Sequence, residues 1–265
     1  MELVILTALL GGTTGLILGL TGAGGGIIAT PLLVLFLNLN VVTAAPLSLI
    51  GVAAASWIGM IIGLKQGIVR YRAAFLITAI GLLITPFGIE TAQLIPKAVL
   101  KLLFILLLLY QAYRYAFIKH LNIDKDFPCQ IDQQTGRFRW DFKCLMTMSK
   151  LGILLGFTSG LLGVGGGFVL VPALKKHTPL NVHSVTSTSL MVLALVSTGS
   201  VLQWSAMGNF NRQLAVPFLA GALITMAIGR IIAPLINEII LRRLFSMICL
   251  ISAISLTVQL IHHHG

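Results

Sequence analysis

Two glycine runs are the residues in this chain best suited to do chemistry. GAGGG covers Gly22–Gly26 and GVGGG covers Gly163–Gly167. Each glycine inside a helix costs about 1 kcal/mol relative to alanine, so each run predicts a broken helix. Where such a run leads into a helix N-terminus it exposes successive backbone N–H groups, with the positive end of the helix dipole behind them. That nest binds an anion without needing a charged side chain. Gly22, Gly24, Gly25 and Gly26, with Gly163, Gly165, Gly166 and Gly167, are therefore candidate ligands for a carboxylate, sulfonate, sulfite or similar oxyanion. Nucleotide sites do not fit. A dinucleotide fingerprint needs glycine at Ile27 or Phe168, and a P-loop needs Gly-Lys-Ser/Thr after the run.

Hydroxyls downstream of each run are the next candidates. Ser48 (with Thr43) in the first half, and Thr186 and Ser189 (with Ser184 and Ser187) in the second, could donate to oxyanion oxygens. Their competing use is a bond to the carbonyl one turn back. Glu90 follows Pro86-Phe87-Gly88 and is the carboxylate expected inside an apolar segment. It reads as a proton-coupling group, or as a glutamate reaching headgroups from a helix end. Arg230 is a candidate partner for Glu90 or for the substrate. Asn40 and Asn181 sit at equivalent turns and read as helix caps. His120, His177 and His183 form no catalytic constellation, so no enzyme, cofactor or metal site is expected. Cys129, Cys144 and Cys249 lack metal spacing and read as free thiols.

The elements that must hold these residues are set by composition. The 265 residues are 57% hydrophobic and 9% charged, against about 25% charged in a soluble protein. Nearly uncharged stretches recur at Met1–Leu64, Ala73–Gln93, Val99–Tyr113, Leu151–Leu174, Leu214–Gly229 and Leu244–Ile261. A hydrocarbon core about 30 Å thick needs about 20 such residues to cross it. The expected fold is an all-α polytopic membrane protein. Met1-Glu2-Leu3-Val4 lacks a positive n-region, so the first stretch is expected to be retained. The net charge of +11 then points to loops facing the cytoplasm and anionic lipid rather than to nucleic acid.

The sequence also repeats itself. A shift of 141 positions places Gly11, Gly15, Gly19 and the first glycine run on Gly152, Gly156, Gly160 and the second, and eight of 17 positions from Gly15 to Pro31 are identical. Two homologous units of about four helical segments follow, at 1–118 and 144–265, joined by a polar connector at 119–143. The spacings Gly15-x3-Gly19 and Gly156-x3-Gly160 suit close helix packing rather than a site. If each broken stretch spans once, Lys and Arg divide eleven to seven between the two sides. If each re-enters, the units are inverted and the division is 15 to three, with Lys97, Lys101 and Arg212 opposite the connector. The stronger bias favours inverted units, re-entrant first segments and a cytoplasmic connector. Glu2–Leu20, nearly a full span by itself, argues the other way.

The motifs GLILGLTGAGGGIIATPLL (Gly15–Leu33) and GFTSGLLGVGGGFVLVPAL (Gly156–Leu174) resemble the TauE/SafE sulfite-exporter family, also called the toluene-sulfonate uptake permeases. The resemblance covers both units. It implies an inner-membrane secondary transporter of sulfite, a sulfonate or a related organosulfur or organic anion, coupled to a proton or sodium ion. An anion channel and a non-transporting scaffold are the rival classes.

Overall fold

The structure is a computed structural model, and it describes residues 2–22, 25–117, 127–131, 138–206, 212–233 and 238–262. Ten helices account for nearly all of them. The first unit contains α1 (Glu2–Thr21), α2 (Gly25–Phe36), α3 (Val41–Lys65), α4 (Tyr71–Leu94) and α5 (Lys97–Phe117). The second contains α6 (Phe142–Leu162), α7 (Gly167–His177), α8 (Val182–Ala206), α9 (Arg212–Ile232) and α10 (Glu238–His262). Each unit thus has four helical segments, the first of them broken into two helices. Eight are long and apolar enough to cross a membrane, and the others, α2 and α7, have only 12 and 11 residues. A helix satisfies its own backbone, which is why apolar segments without water take this form.

The two short helices turn back. A Cβ on Gly25 would lie 2.6 Å from Cβ of Leu18 and 2.7 Å from the Thr14 carbonyl oxygen, so α2 starts beside the body of α1. Gly166, 141 positions on, meets Leu155 in the same way, its Cβ 2.7 Å from Cγ. Both first segments are therefore hairpins. The length of α1 does not prevent this, because α2 returns alongside it to the face from which α1 started.

Helix pairing follows the same offset. Gly11, Gly15 and Gly19 on α1 lie against Phe218, Ala222 and Met226 on α9, and Gly152, Gly156 and Gly160 on α6 lie against Ile77, Gly81 and Thr85 on α4. In each pair a side chain at the glycine would strike partner backbone, so these glycines serve packing. Both pairs run parallel. The chain therefore enters the second unit in the opposite sense, with the start of α1 and end of α10 at one face (the terminal face). The connector lies at the other, where Phe138 and Trp140 line a cavity with Arg70–Ala73.

α3 and α8 pack against each other at the centre. In them 61% and 67% of the spanning residues are buried, against 28–33% in α5, α9 and α10. The outer helices turn Leu83, Phe87, Leu106, Ile231 and Ile251 outward. On a water-facing protein that apolar exposure would promote association; facing lipid tails, it costs nothing.

The structure corrects two expectations. Cys129 and Cys144 are not free thiols but form a disulfide, with Cα atoms 4.7 Å apart. The connector folds back so that the Cys129 N–H donates to the His177 carbonyl at 3.3 Å. That brings Cys129 to the start of α6, a proximity the spacing of the two cysteines does not reveal. Cys249 is free and buried. Asn40, expected to cap α3, makes no side-chain cap bond, whereas Asn181 Oδ1 does accept from the Ser184 N–H at 2.9 Å.

Candidate functional site

The second break is the better-described one. α6 ends at Leu162, and Gly163, Gly165 and Gly166 then take φ of +66°, +71° and +69° before α7 begins at Gly167. Three left-handed residues in four positions require glycine, because a Cβ would strain each. The turn reverses the chain in four residues and presents the opening N–H groups of α7, which have no intrahelical partner. Depth is fixed by the central helices. Val52 and Leu193, 3.2 and 3.3 Å from the Cβ position of Gly165, are each the twelfth residue of a 25-residue helix. The break therefore lies halfway along α3 and α8.

One unpartnered polar group faces it. Ser197 Oγ on α8 lies 3.0 Å from the Cβ position of Gly165, is fully buried, and has no hydrogen-bond partner. A buried hydroxyl without a partner costs about 1–3 kcal/mol, and here it points at a turn built of backbone N–H groups. Ser56, its equivalent on α3, is likewise fully buried and unpartnered. Nearby, the Trp57 indole N–H donates to Thr198 Oγ1 at 3.0 Å, pinning α3 to α8. The apolar walls of Val52 and Leu193 exclude water, so a donor acting here faces little dielectric competition.

The first break is brought against the second. A Cβ on Gly26 would strike the Val164 carbonyl, so the start of α2 abuts the turn between α6 and α7. Gly22 has φ +71° and faces the Thr186 side chain. Gly24 lies outside the described residues. Gly25 and Gly26 open α2, and Gly167 opens α7.

The candidate hydroxyls separate by use. Ser48 Oγ donates to the Gly163 carbonyl at 2.6 Å and receives the Thr30 hydroxyl at 3.0 Å, so it closes the end of α6. Thr43 bonds the Asn40 carbonyl locally. Thr186 packs on Gly22, and Ser187 receives the Arg230 guanidinium at 3.4 Å. Ser189 is fully buried with no partner. Glu90 lies exposed near the end of α4, away from the breaks and at the face opposite Arg230, so the two do not pair. Sequence reading missed Ser56, Ser197 and Thr30. Their one signal was the repeat itself, which sets Ser56 on Ser197 at the offset of 141.

Short half-helices that turn back and meet halfway along eight membrane-length helices define a multi-pass membrane protein. The chain belongs to the sulfite exporter TauE/SafE family, whose model matches residues 7–256. A "Probable membrane transporter protein" of Xylella fastidiosa is 29% identical over 254 residues, covering 95% of this chain and 94% of that one. The "Probable membrane transporter protein YdhB" of Bacillus subtilis is 26% identical over 231 residues, covering 86% and 89%. An Arabidopsis thaliana "Sulfite exporter TauE/SafE family protein 3" is 31% identical over 118 residues, covering 42% of this chain and 24% of that one. No solved structure matches.

Proposed function

We propose that this transporter is a secondary carrier that binds a small oxyanion (sulfite, a sulfonate or a related organosulfur or organic anion) at the meeting point of the two glycine breaks. The observation that carries the reading is Ser197: a fully buried, unpartnered hydroxyl set against a left-handed glycine turn at the N-terminus of α7. An anion there would receive backbone N–H groups and one hydroxyl, with the helix dipole behind them. The anion species is inferred from the family's name. The membrane is read as the inner one, with the connector, on the side holding 15 of the 18 Lys and Arg, in the cytoplasm. A proton carried by Glu90, or a sodium ion, remains the proposed coupling partner, although the placement of Glu90 lends the proton no support.

Ligand-induced thermal stabilisation of the purified protein tests the site. Among sulfite, thiosulfate, taurine, sulfoacetate and simple carboxylates, one anion at 100 times its dissociation constant should stabilise by about 2.7 kcal/mol. Ser197→Ala should leave the unliganded melting temperature unchanged or higher, because it removes an unpartnered hydroxyl. It should raise the dissociation constant about tenfold, equivalent to about 1.4 kcal/mol. A panel in which nothing binds, or binding unchanged by Ser197→Ala, would overturn this assignment.

A further inference from the structure

The terminal face holds a second polar feature, separate from the breaks. A cavity of about 290 Å³ opens between the α2–α3 turn, the start of α5 and the end of α10. Its polar lining is Asn38, Asn40, Lys97, Lys101 and Gln259, with no carboxylate among the lining residues. Among the described residues, Lys97 and Lys101 bring two basic side chains to this one space.

Three observations give the cavity a use. Lys97 and Lys101 are four apart, so they share a face of α5, where like charges destabilise one another unless an anion intervenes. The side chains around them form a relay: Lys101 Nζ donates to Gln259 Oε1 at 2.9 Å, and Gln259 Nε2 donates to Asn38 Oδ1 at 3.3 Å. That relay occupies the carbonyl oxygens of Gln259 and Asn38, and it leaves two ammonium groups and amide N–H groups as the dominant unused donors. Asn40 adds to the set because, unlike its counterpart Asn181, it is not spent on capping its helix. Asn38 holds φ +51°, left-handed backbone that Asn tolerates better than most residues. That turn lets the chain leave α2 and still put both asparagines on the cavity wall.

We propose that this cavity is a recognition site for a small oxyanion, a vestibule at the terminal face. α2 links the vestibule to the break: its 12 residues extend about 18 Å from the glycine turn to the Asn38 loop. The inference rests on the transporter class and not on the break as binding site. The volume, at the lower limit of ordinary ligand cavities, suits a sulfite, a small sulfonate or a phosphate-type headgroup rather than a large organic anion.

Lysine footprinting on the full chain tests it. The protein is placed in nanodiscs of phosphatidylcholine alone, treated briefly with an amine-acylating reagent, and mapped by mass spectrometry. Sulfite, methanesulfonate and acetate are the probes, and Lys65, exposed at the opposite face, is the internal control. At saturation one of these anions should slow acylation of both Lys97 and Lys101 at least fivefold while leaving Lys65 unchanged. The protection should persist in Ser197→Ala, which separates this site from the break. If protection instead arises when phosphatidylglycerol replaces phosphatidylcholine, without added solute, the oxyanion is a lipid headgroup and the site stands. Absence of protection by any solute or by phosphatidylglycerol overturns the proposal, as does equal slowing at Lys65. Lys101→Gln should raise the transport KM about fivefold with kcat held, the split expected of a residue that gathers substrate before the crossing step.

Discussion

The two units share a backbone plan but not the same polar chemistry. Ser48 and Ser189 occupy equivalent places on α3 and α8, and both are fully buried. Ser48 donates to the carbonyl that ends α6 and is supported by Thr30, whereas Ser189 has no partner. The counterparts explain part of this difference. Where the first unit has Thr30 and Ala45, the second has Val171 and Thr186, so the supporting hydroxyl is gone and a bulkier side chain faces the opposite break. The asymmetry teaches that an inverted pair of hairpins can build two breaks of like geometry and stabilise only one with side chains.

The largest expected effect tests how alike the scaffolds are. Gly15→Val and Gly156→Val each drive a branched side chain into partner backbone, at Ala222 and at Gly81. Overpacking against a flexible neighbour costs about 1–3 kcal/mol, and backbone that cannot move costs more. Both variants should lose thermal stability by more than about 3 kcal/mol and by similar amounts. A large inequality in melting temperature would show that α1·α9 and α6·α4 are not equivalent interfaces.

A device found only beside the second unit gives the next effect. The disulfide between Cys129 and Cys144 closes a separation of 15 residues, and a loop of that size contributes about 3 kcal/mol in the chain-entropy account. Replacing both cysteines by serine should lower stability by up to that amount and should leave the first unit's helix pairs intact in hydrogen exchange. Charge and sulfur chemistry disagree about this side of the membrane. Fifteen basic residues argue for the cytoplasm, and a disulfide argues for an oxidising compartment. The proposed orientation follows the charge count, and under it the disulfide would be of the redox-responsive kind. The parent protein should lose that stability under reducing conditions, and the double serine variant should show no further loss.

Much of the architecture was legible because the bilayer enforces simple rules. Apolar runs long enough to span gave the helices, and the glycine runs marked the reversals. The hairpin at α1–α2 was harder, since a 20-residue α1 satisfies the span rule alone; it took the approach of Gly25 to Leu18 to show the return. Side-chain roles were less legible. Nothing in one dimension distinguishes Ser48, whose hydroxyl is consumed by Gly163, from Ser197, whose hydroxyl is free. Cys129 and Cys144 were misread for the same reason: their meeting depends on a contact between the connector and His177.

The finest test compares the two serines directly. Ser48→Ala removes the 2.6 Å bond to the Gly163 carbonyl and the acceptor of the Thr30 hydroxyl. Those two groups keep only their long 3.5 Å bond to each other in a dry interior, and weakening a buried polar cluster in this way costs about 1–3 kcal/mol. At the same depth Ser189→Ala removes a hydroxyl that bonds nothing. It should therefore be neutral or slightly stabilising. In a chain of this size each kcal/mol corresponds to about 2–4 °C, so the two melting temperatures should separate by several degrees, with Ser48→Ala the lower. Adding a bound anion sharpens the contrast. If Ser189 serves substrate, Ser189→Ala loses ligand-induced stabilisation while keeping its unliganded melting temperature, and Ser48→Ala does the reverse. Equal shifts in both variants would mean that Ser189 is held by a bond as strong as that of Ser48, and the inequality between the two breaks would disappear with it.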